Sequence, residues 1–474
     1  MQDARTLPRV VVAGLSGGAG KTVVSLALLL AARASGRQVR AFKKGPDYID
    51  AAWLAWASGS PARNLDTYLM GFPTATHSFV RNGISDGLNV IEGNRGVFDG
   101  MDVAGTHSSA ALAKALAASV LLVLNVAKIT RTAAAFVLGA QQLDHELNIA
   151  GIILNHVNGL RHERIVRESI ASVCDIPVVG VVPKFDAESL IPERHLGLVT
   201  PADHRQQERL ERTLLENVAA GFDCDTIFRI ANAAGPLCLE AEPEPRLPDA
   251  RGLKIGYFKD AAFSFYYPEN LEQLERAGAE LVPISPLMAT ALPSDISALY
   301  IGGGFPELHA AALSANTPML GSLHAAAHSG LPIYAECGGL MMLSRAIVWC
   351  DRSYPMAEVF PFETHVHSNA QGHGYAEMKV DRNNLYFPAG LSLRGHEFHY
   401  SKIETIDGNF ETACQMRRGT GIANARDGAI FNNVWASYTH LHGLATPEWA
   451  CGMIDAARNF AAKQRDECLL GSSR

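Results

Sequence analysis

The chain has 474 residues, more than one hydrophobic core usually organises, so two domains are expected. Its 48% hydrophobic and 19% charged content, with a mean hydropathy of +0.05, describes an ordinary soluble globular protein, and its net charge of -7 argues against a general nucleic-acid binder. Eight cysteines (Cys174, Cys224, Cys238, Cys337, Cys350, Cys414, Cys451 and Cys468) show no CxxC spacing, which suits reduced thiols rather than a disulfide framework or a zinc site. The N-terminus carries no signal-peptide profile, and the apolar run Leu26 to Ala32 is too short to span a bilayer. A cytoplasmic protein without a membrane partner is expected.

In chain order, Arg9-Val-Val-Val-Ala-Gly14 reads as a β-branched strand, and Val23 to Arg33 has the pattern of a helix. Between them, Leu-Ser-Gly17-Gly18-Ala-Gly20-Lys21-Thr22 makes a phosphate loop. Backbone amides and a helix N-terminus would face the anion, Lys21 would reach the outer phosphates, and Thr22 could ligate magnesium. The usual spacing fails by one residue, because Leu15 stands where the first glycine belongs and Gly14 lies one earlier. That change resembles two groups of loop. Partition-type ATPases open the motif with a second lysine, where this chain has Ser16, so the loop is more similar to that of the dethiobiotin-synthetase-like ligases.

The next strand, Gln38 to Lys44, runs into Gly45-Pro46-Asp47-Tyr48-Ile49-Asp50, offering Lys43 and Lys44 as cations and two acids as magnesium ligands, or else a solvated polar loop. A third strand from Leu88 carries Glu92, costly to bury without a cation, and leads to Asp99, either a ligand or a cap. Strands at Ser119–Asn125 and Ile149–Asn155 each end in asparagine, suited to reading a base or ribose or to capping a helix, and Pro177–Pro183 closes the series. Buried strands alternating with helical stretches predict an α/β, doubly wound parallel sheet over 1–234.

Around 235–250 the chain turns proline-rich and acidic, as a linker does, and 251–474 begins a second α/β domain. Ala298 to Ile301 is a strand ending in Gly302-Gly303-Gly304, which could supply oxyanion amides or mark only a tight turn. Leu331 to Glu336 then reaches Cys337-Gly338-Gly339 and a helix-compatible run, the pattern that lifts a nucleophile out of a sheet. A nucleophilic cysteine needs a base, and His440 and His442 stand at alternate positions near the C-terminus. Arg394 to Ser401 is a further polar and aromatic cluster, either a substrate contact or an exposed strand.

These ordered motifs resemble the cobyrinate a,c-diamide synthase family, which joins a P-loop, dethiobiotin-synthetase-like domain to a class I glutamine amidotransferase-like domain. The resemblance covers nearly the whole chain: Gly14 to Thr22, Lys43 to Asp50, Glu92-Gly93 with Phe98 to Gly100, Tyr300 to Glu307, Cys337 to Gly339, Gly395 to Ser401 and Ala436 to His440. It implies that ATP and magnesium activate an acetate carboxylate of a tetrapyrrole as an acyl phosphate, which ammonia from glutamine displaces. The implied nucleotide set is Gly18, Gly20, Lys21, Thr22, Lys44, Asn125 and Asn155; the metal set is Thr22, Asp47 and Glu92. Asp50, Asp99 and Arg95 would hold the activated carboxylate, Cys337 and His440 would be catalytic, and Gly303, Gly304 and Gly338 would bind the oxyanion. The usual class I triad carries Glu two residues after its histidine, where this chain has His442, so a Cys-His pair or an acid from elsewhere is expected. Corrin-specific members tend to be apolar where this chain has Asn94-Arg95, which leaves sirohaem or sirohydrochlorin rings open as substrates. A nucleotide switch with a silent glutaminase-like domain would have no use for the Cys337 and His440 pair. A homodimer is left open.

Overall fold

The computed structural model describes residues 4–184, 193–194, 197–204, 206–238, 246–406 and 408–471. The chain divides into two compact units, Met1–Pro243 and Glu244–Arg474. Residues 239–245 of the expected linker lie outside the described residues.

The first unit is built on seven parallel strands: β1 (Arg9–Gly14), β2 (Gln38–Lys44), β3 (Arg63–Leu65), β4 (Gly87–Gly96), β5 (Ser119–Asn125), β6 (Ile149–Val157) and β7 (Val178–Pro183). Their order in the sheet is β3-β2-β4-β1-β5-β6-β7. Every residue of β1 is buried, which is why it reads as an unbroken β-branched run instead of alternating. From β1 the order runs one way to β3 and the other way to β7, so the segment after Gly14 sits at the topological switch point, where α/β sheets bind ligands. There α1 (Lys21–Ala34) begins, and α2 (Tyr48–Ser58) follows β2.

In the second unit a ten-stranded sheet is parallel on one side and antiparallel on the other. The parallel part contains β8 (Lys254–Phe258), β9 (Glu280–Ile284), β10 (Ala298–Ile301), β11 (Ile333–Glu336) and, later in the chain, a strand at Val434–Ser437. β11 lies between β10 and Val434–Ser437, in register with Glu336 opposite Ser437. The antiparallel part includes Ser392–His399, whose His396 pairs with His440. The Arg394 to Ser401 cluster is therefore no exposed strand: His396, Glu397, His399 and Ser401 are all buried. Among the described residues, no helix is long and apolar enough to cross a membrane.

Candidate functional site

In the first unit the loop from β1 to α1 is shaped by glycine. Gly18 and Gly20 have φ of 69° and 95°, in the left-handed region that favours glycine, and Gly20 is the N-cap of α1. A Cβ on Gly20 would also lie 2.2 Å from Asn155 Nδ2. That amide donates to Ala19 O at 2.9 Å, while Asn155 Oδ1 accepts from the His156 amide at 2.9 Å. Asn155 is buried, and through these bonds it braces the loop. Asn125 is exposed, with Oδ1 accepting from the Ala127 amide. Lys21 Nζ donates to Ser16 O at 3.0 Å, folding back over the loop, and burial followed by the charge of Lys43 lowers its pKa.

A charged cluster adjoins this loop. Glu92 is fully buried, and its Oε1 accepts from Thr22 Oγ1 at 2.9 Å and from Lys43 Nζ at 2.7 Å. Lys43 also pairs with Asp50 at 2.6 Å. Burial disfavours the Lys43 ammonium, yet Asp50 and Glu92 outweigh it and hold the lysine charged. Burial raises the pKa of Glu92, and Asp47 is pushed up to about 7, first by burial and then by Asp50. Asp47 also caps α2, its Oδ1 accepting from the Asp50 amide at 2.6 Å.

Neighbouring residues of a strand face opposite ways, which separates Lys43 from Lys44. Lys44 is the lysine expected to hold nucleotide, yet Lys43 joins the acids, while the opposite charge that acts most on Lys44 is that of Asp66. Asp99 lies past the end of β4 and its Oδ2 accepts from the Gly96 amide at 2.8 Å, closing a turn, while its charge still reaches Lys21. Arg95 is exposed, with φ of 49°.

Among the described residues, the second oxygen of Glu92, Oε2, is buried without a hydrogen-bond partner. A carboxylate oxygen left bare beside a threonine hydroxyl is the donor set a hard cation takes. Among the described residues no group of three or more His, Cys, Asp or Glu forms a cage for a metal.

In the second unit Cys337 joins β11 to a short helix, Gly338–Leu343, with φ of 50° and ψ of -99°. Such a backbone costs energy for a residue with a Cβ, and the surroundings enforce it: the Cys337 amide donates to Ser437 O at 2.7 Å. Burial, followed by the charge of Glu307, pushes the thiol up, so it rests protonated and needs a base. A Cβ on Gly338 would fall 3.1 Å from the Gly304 amide nitrogen, so these two glycines meet beside the cysteine. A Cβ on Gly303 would fall 2.6 Å from His440 Cε1. Gly303 therefore makes room for the imidazole, and the Gly303-Gly304 loop lies beside the cysteine turn at Gly338.

The two histidines separate. His440 Nδ1 lies 3.4 Å from Glu336 Oε2, and its ring stacks on His396 with centroids 5.0 Å apart. His442 turns to Glu269, 3.7 Å away, and its ring packs tilted against Tyr267 with centroids 4.3 Å apart. Glu336, the residue before the nucleophile, escaped the sequence reading although it stands inside the cysteine motif. Its reach to His440 depends on strand register, which the sequence does not display.

Residues 10–199 match the family model described as the CobQ/CobB/MinD/ParA nucleotide binding domain, and 254–447 match the CobB/CobQ-like glutamine amidotransferase domain. A protein of Magnetococcus marinus named cobyrinate a,c-diamide synthase is 40% identical over 449 residues, covering 94% of this chain and 96% of its own. The chain belongs to the cobyrinate a,c-diamide synthase family. Proteins of that name from Dehalococcoides mccartyi (39% over 462 residues, covering 96% of this chain and 99% of their own) and Archaeoglobus fulgidus (37% over 440 residues, 93% and 95%) match along the same length. As a cobyrinate a,c-diamide synthase family member the chain is a carbon–nitrogen ligase that takes its nitrogen from glutamine. The expected fold holds: a parallel P-loop sheet precedes an amidotransferase domain of α/β architecture.

Proposed function

We propose that this enzyme amidates the a and c acetate carboxylates of a cobyrinate-type tetrapyrrole, using ATP and glutamine, in the cytoplasm. The observation that carries the proposal is the end-to-end match, across both units, to relatives named for that reaction. The chemistry of each site agrees with it. A carboxylate is a poor electrophile. Its oxygen attacks the γ-phosphorus of ATP, ADP leaves, and the acyl phosphate then loses phosphate to ammonia.

Gly18, Gly20 and Lys21 would cradle the phosphates, and Lys43 would hold the acids of the cluster in place. Thr22, Glu92 and Asp47 would hold magnesium, which when bound screens the charge of the phosphate oxygens. Asp50, Asp99 and Arg95 would line the place of the activated acetate. In the second unit Cys337 would attack the glutamine carboxamide with His440 as base, the Gly304 and Gly338 amides facing the oxyanion.

The exposed guanidinium of Arg95 favours one alternative, a sirohaem or sirohydrochlorin ring that offers a carboxylate at that place. A mass-spectrometric assay with ATP, magnesium and glutamine, offering cobyrinate and sirohydrochlorin in parallel, tests both. Two successive replacements of OH by NH2 on cobyrinate are expected; the same change on sirohydrochlorin alone would transfer the reaction to that ring. Glutamine hydrolysis with no change on any ring would refute the proposal.

A further inference from the structure

We infer that Glu336 is the positioning acid of the cysteine–histidine pair, orienting His440 and stabilising the imidazolium that forms when the Cys337 thiol gives up its proton. The inference rests on the proposed role of Cys337 as the glutaminase nucleophile.

The carboxylate of Glu336 grips two consecutive residues. Oε1 accepts from the Leu441 amide at 3.1 Å, and Oε2 lies 3.4 Å from His440 Nδ1. Tyr300 donates to Oε2 at 3.1 Å and is itself held by Asn270 Nδ2 at 3.4 Å. Burial first, then the charge of Glu336, pushes Tyr300 well up, so the phenol stays a donor. Glu336 accepts at Oε1 from Leu441 and at Oε2 from Tyr300, and an accepting carboxylate facing Nδ1 of His440 places the hydrogen there and leaves Nε2 as the base. That nitrogen faces the glycine loop: a Cβ on Gly303 would lie 3.4 Å from it. The next glycine, Gly304, abuts Gly338 of the cysteine turn. Since Glu336 is bonded through its peptide to Cys337, one residue links acid to nucleophile and touches the base.

Other acids nearby have different tasks. Asp427 accepts from the Tyr438 and Thr439 amides and from Thr439 Oγ1, shaping the backbone before His440. Glu397 is occupied by His399 and the Thr420 and Gly421 amides. His442, at the position of the usual triad acid, faces Glu269. Titratable groups near His440 include Glu336, with Tyr300 bonded to it, and His396, with His442 beyond; those near Cys337 include Glu307, Glu336, Glu397 and Tyr438. Burial, followed by the charges of His440 and His442, holds His396 well down, so it stays neutral and does not cancel Glu336.

The step balances. The thiol proton passes to His440 Nε2 as sulfur bonds to the carboxamide carbon and the carbonyl electron pair moves to oxygen. On collapse the C–N bond breaks and the imidazolium returns the proton to the leaving nitrogen, giving ammonia and a thioester, which water then cleaves to glutamate.

The test is glutamine hydrolysis by the full-length protein and its Glu336→Gln variant, which keeps an acceptor for Leu441 but loses the charge. The expected result is a kcat lower by roughly a hundredfold or more, the range for general-base and triad-acid changes, with KM within about threefold. The acid limb of the pH profile should move to lower pH, because removing a negative charge disfavours the imidazolium. Glu336→Asp should recover part of kcat. A kcat within about threefold of wild type, or a lower kcat with an unmoved acid limb, overturns the inference and leaves Glu336 a structural residue. If Glu336→Gln also loses amidation from free ammonia, its fold has failed and Glu336→Asp decides: a reduced kcat supports the inference, an unchanged one overturns it. Cys337→Ala is run beside these variants. Surviving hydrolysis in Cys337→Ala refutes the nucleophile itself, whereas its loss with unaffected Glu336 variants refutes only the acid.

Discussion

Asp47 caps α2 through Oδ1 and stands in an acid cluster with Asp50 and the buried Glu92. Its folded value of about 7 lies above the ordinary 3.8, so the neutral form is the one folding favours. The stability this brings is complete below 3.8, declines as pH rises, and is gone above about 7. Asparagine keeps the capping oxygen without the charge. In the ligand-free protein, Asp47→Asn should therefore raise the melting temperature above pH 7 by roughly 2–4 °C, the effect of about 1 kcal/mol on a domain of this size. Below the ordinary carboxylate range it should change nothing. Calorimetry across pH checks this, and a gain of equal size at every pH would mean that the cap, not the charge, is responsible. If Asp47 holds magnesium as proposed, the same substitution should weaken magnesium-dependent nucleotide binding.

At the scale of elements, both sites lie where a strand meets a helix through glycine, and the two turns use glycine differently. In the phosphate loop Gly20 supplies a left-handed backbone and leaves space for Asn155. In the cysteine elbow the residue with positive φ is Cys337 itself, and the glycines after it permit close packing. A Cβ on Gly339 would lie 2.4 Å from Ile301 O, a backbone atom of β10 that cannot swing aside. Gly339→Ala should cost about 1–3 kcal/mol of stability by forcing the short helix away from the sheet. Denaturant unfolding of the variant measures the loss, and a midpoint equal to wild type would mean that the turn yields freely. Both turns were legible in the sequence because strand, glycine and helix signals are contiguous. Which lysine joins the acids was less so: alternation separates Lys43 from Lys44, and only the pairing of β2 with β4, which sets Lys43 opposite Glu92, shows the side chosen.

Over the whole molecule, the nucleotide-binding domain and the glutamine amidotransferase domain belong to separate units, so under the proposed function single substitutions should divide the reaction. Cys337→Ala should abolish amidation from glutamine while free ammonia still supports it. Glu92→Gln should prevent amidation from either source, by removing charge from the cluster around Thr22 and Lys43. Product formation with each nitrogen donor checks the pair. Equal loss in Cys337→Ala with both donors would contradict the division, as would wild-type turnover of Glu92→Gln with ammonia.

Neighbouring residues encode the phosphate loop, the cysteine elbow, the run of buried parallel strands and the ordered motifs that reveal the family. Tertiary structure decided which remote residues meet. The register that sets Glu336 against Ser437 and His396 against His440 brings an acid to the histidine from a strand 104 residues earlier in the chain. Asn155 was turned into a brace by the closeness of Gly20, and Gly303 into a seat for the imidazole. Local patterns follow from propensity and periodicity, but such contacts depend on how strands far apart in the chain are placed side by side, which no stretch of sequence carries alone.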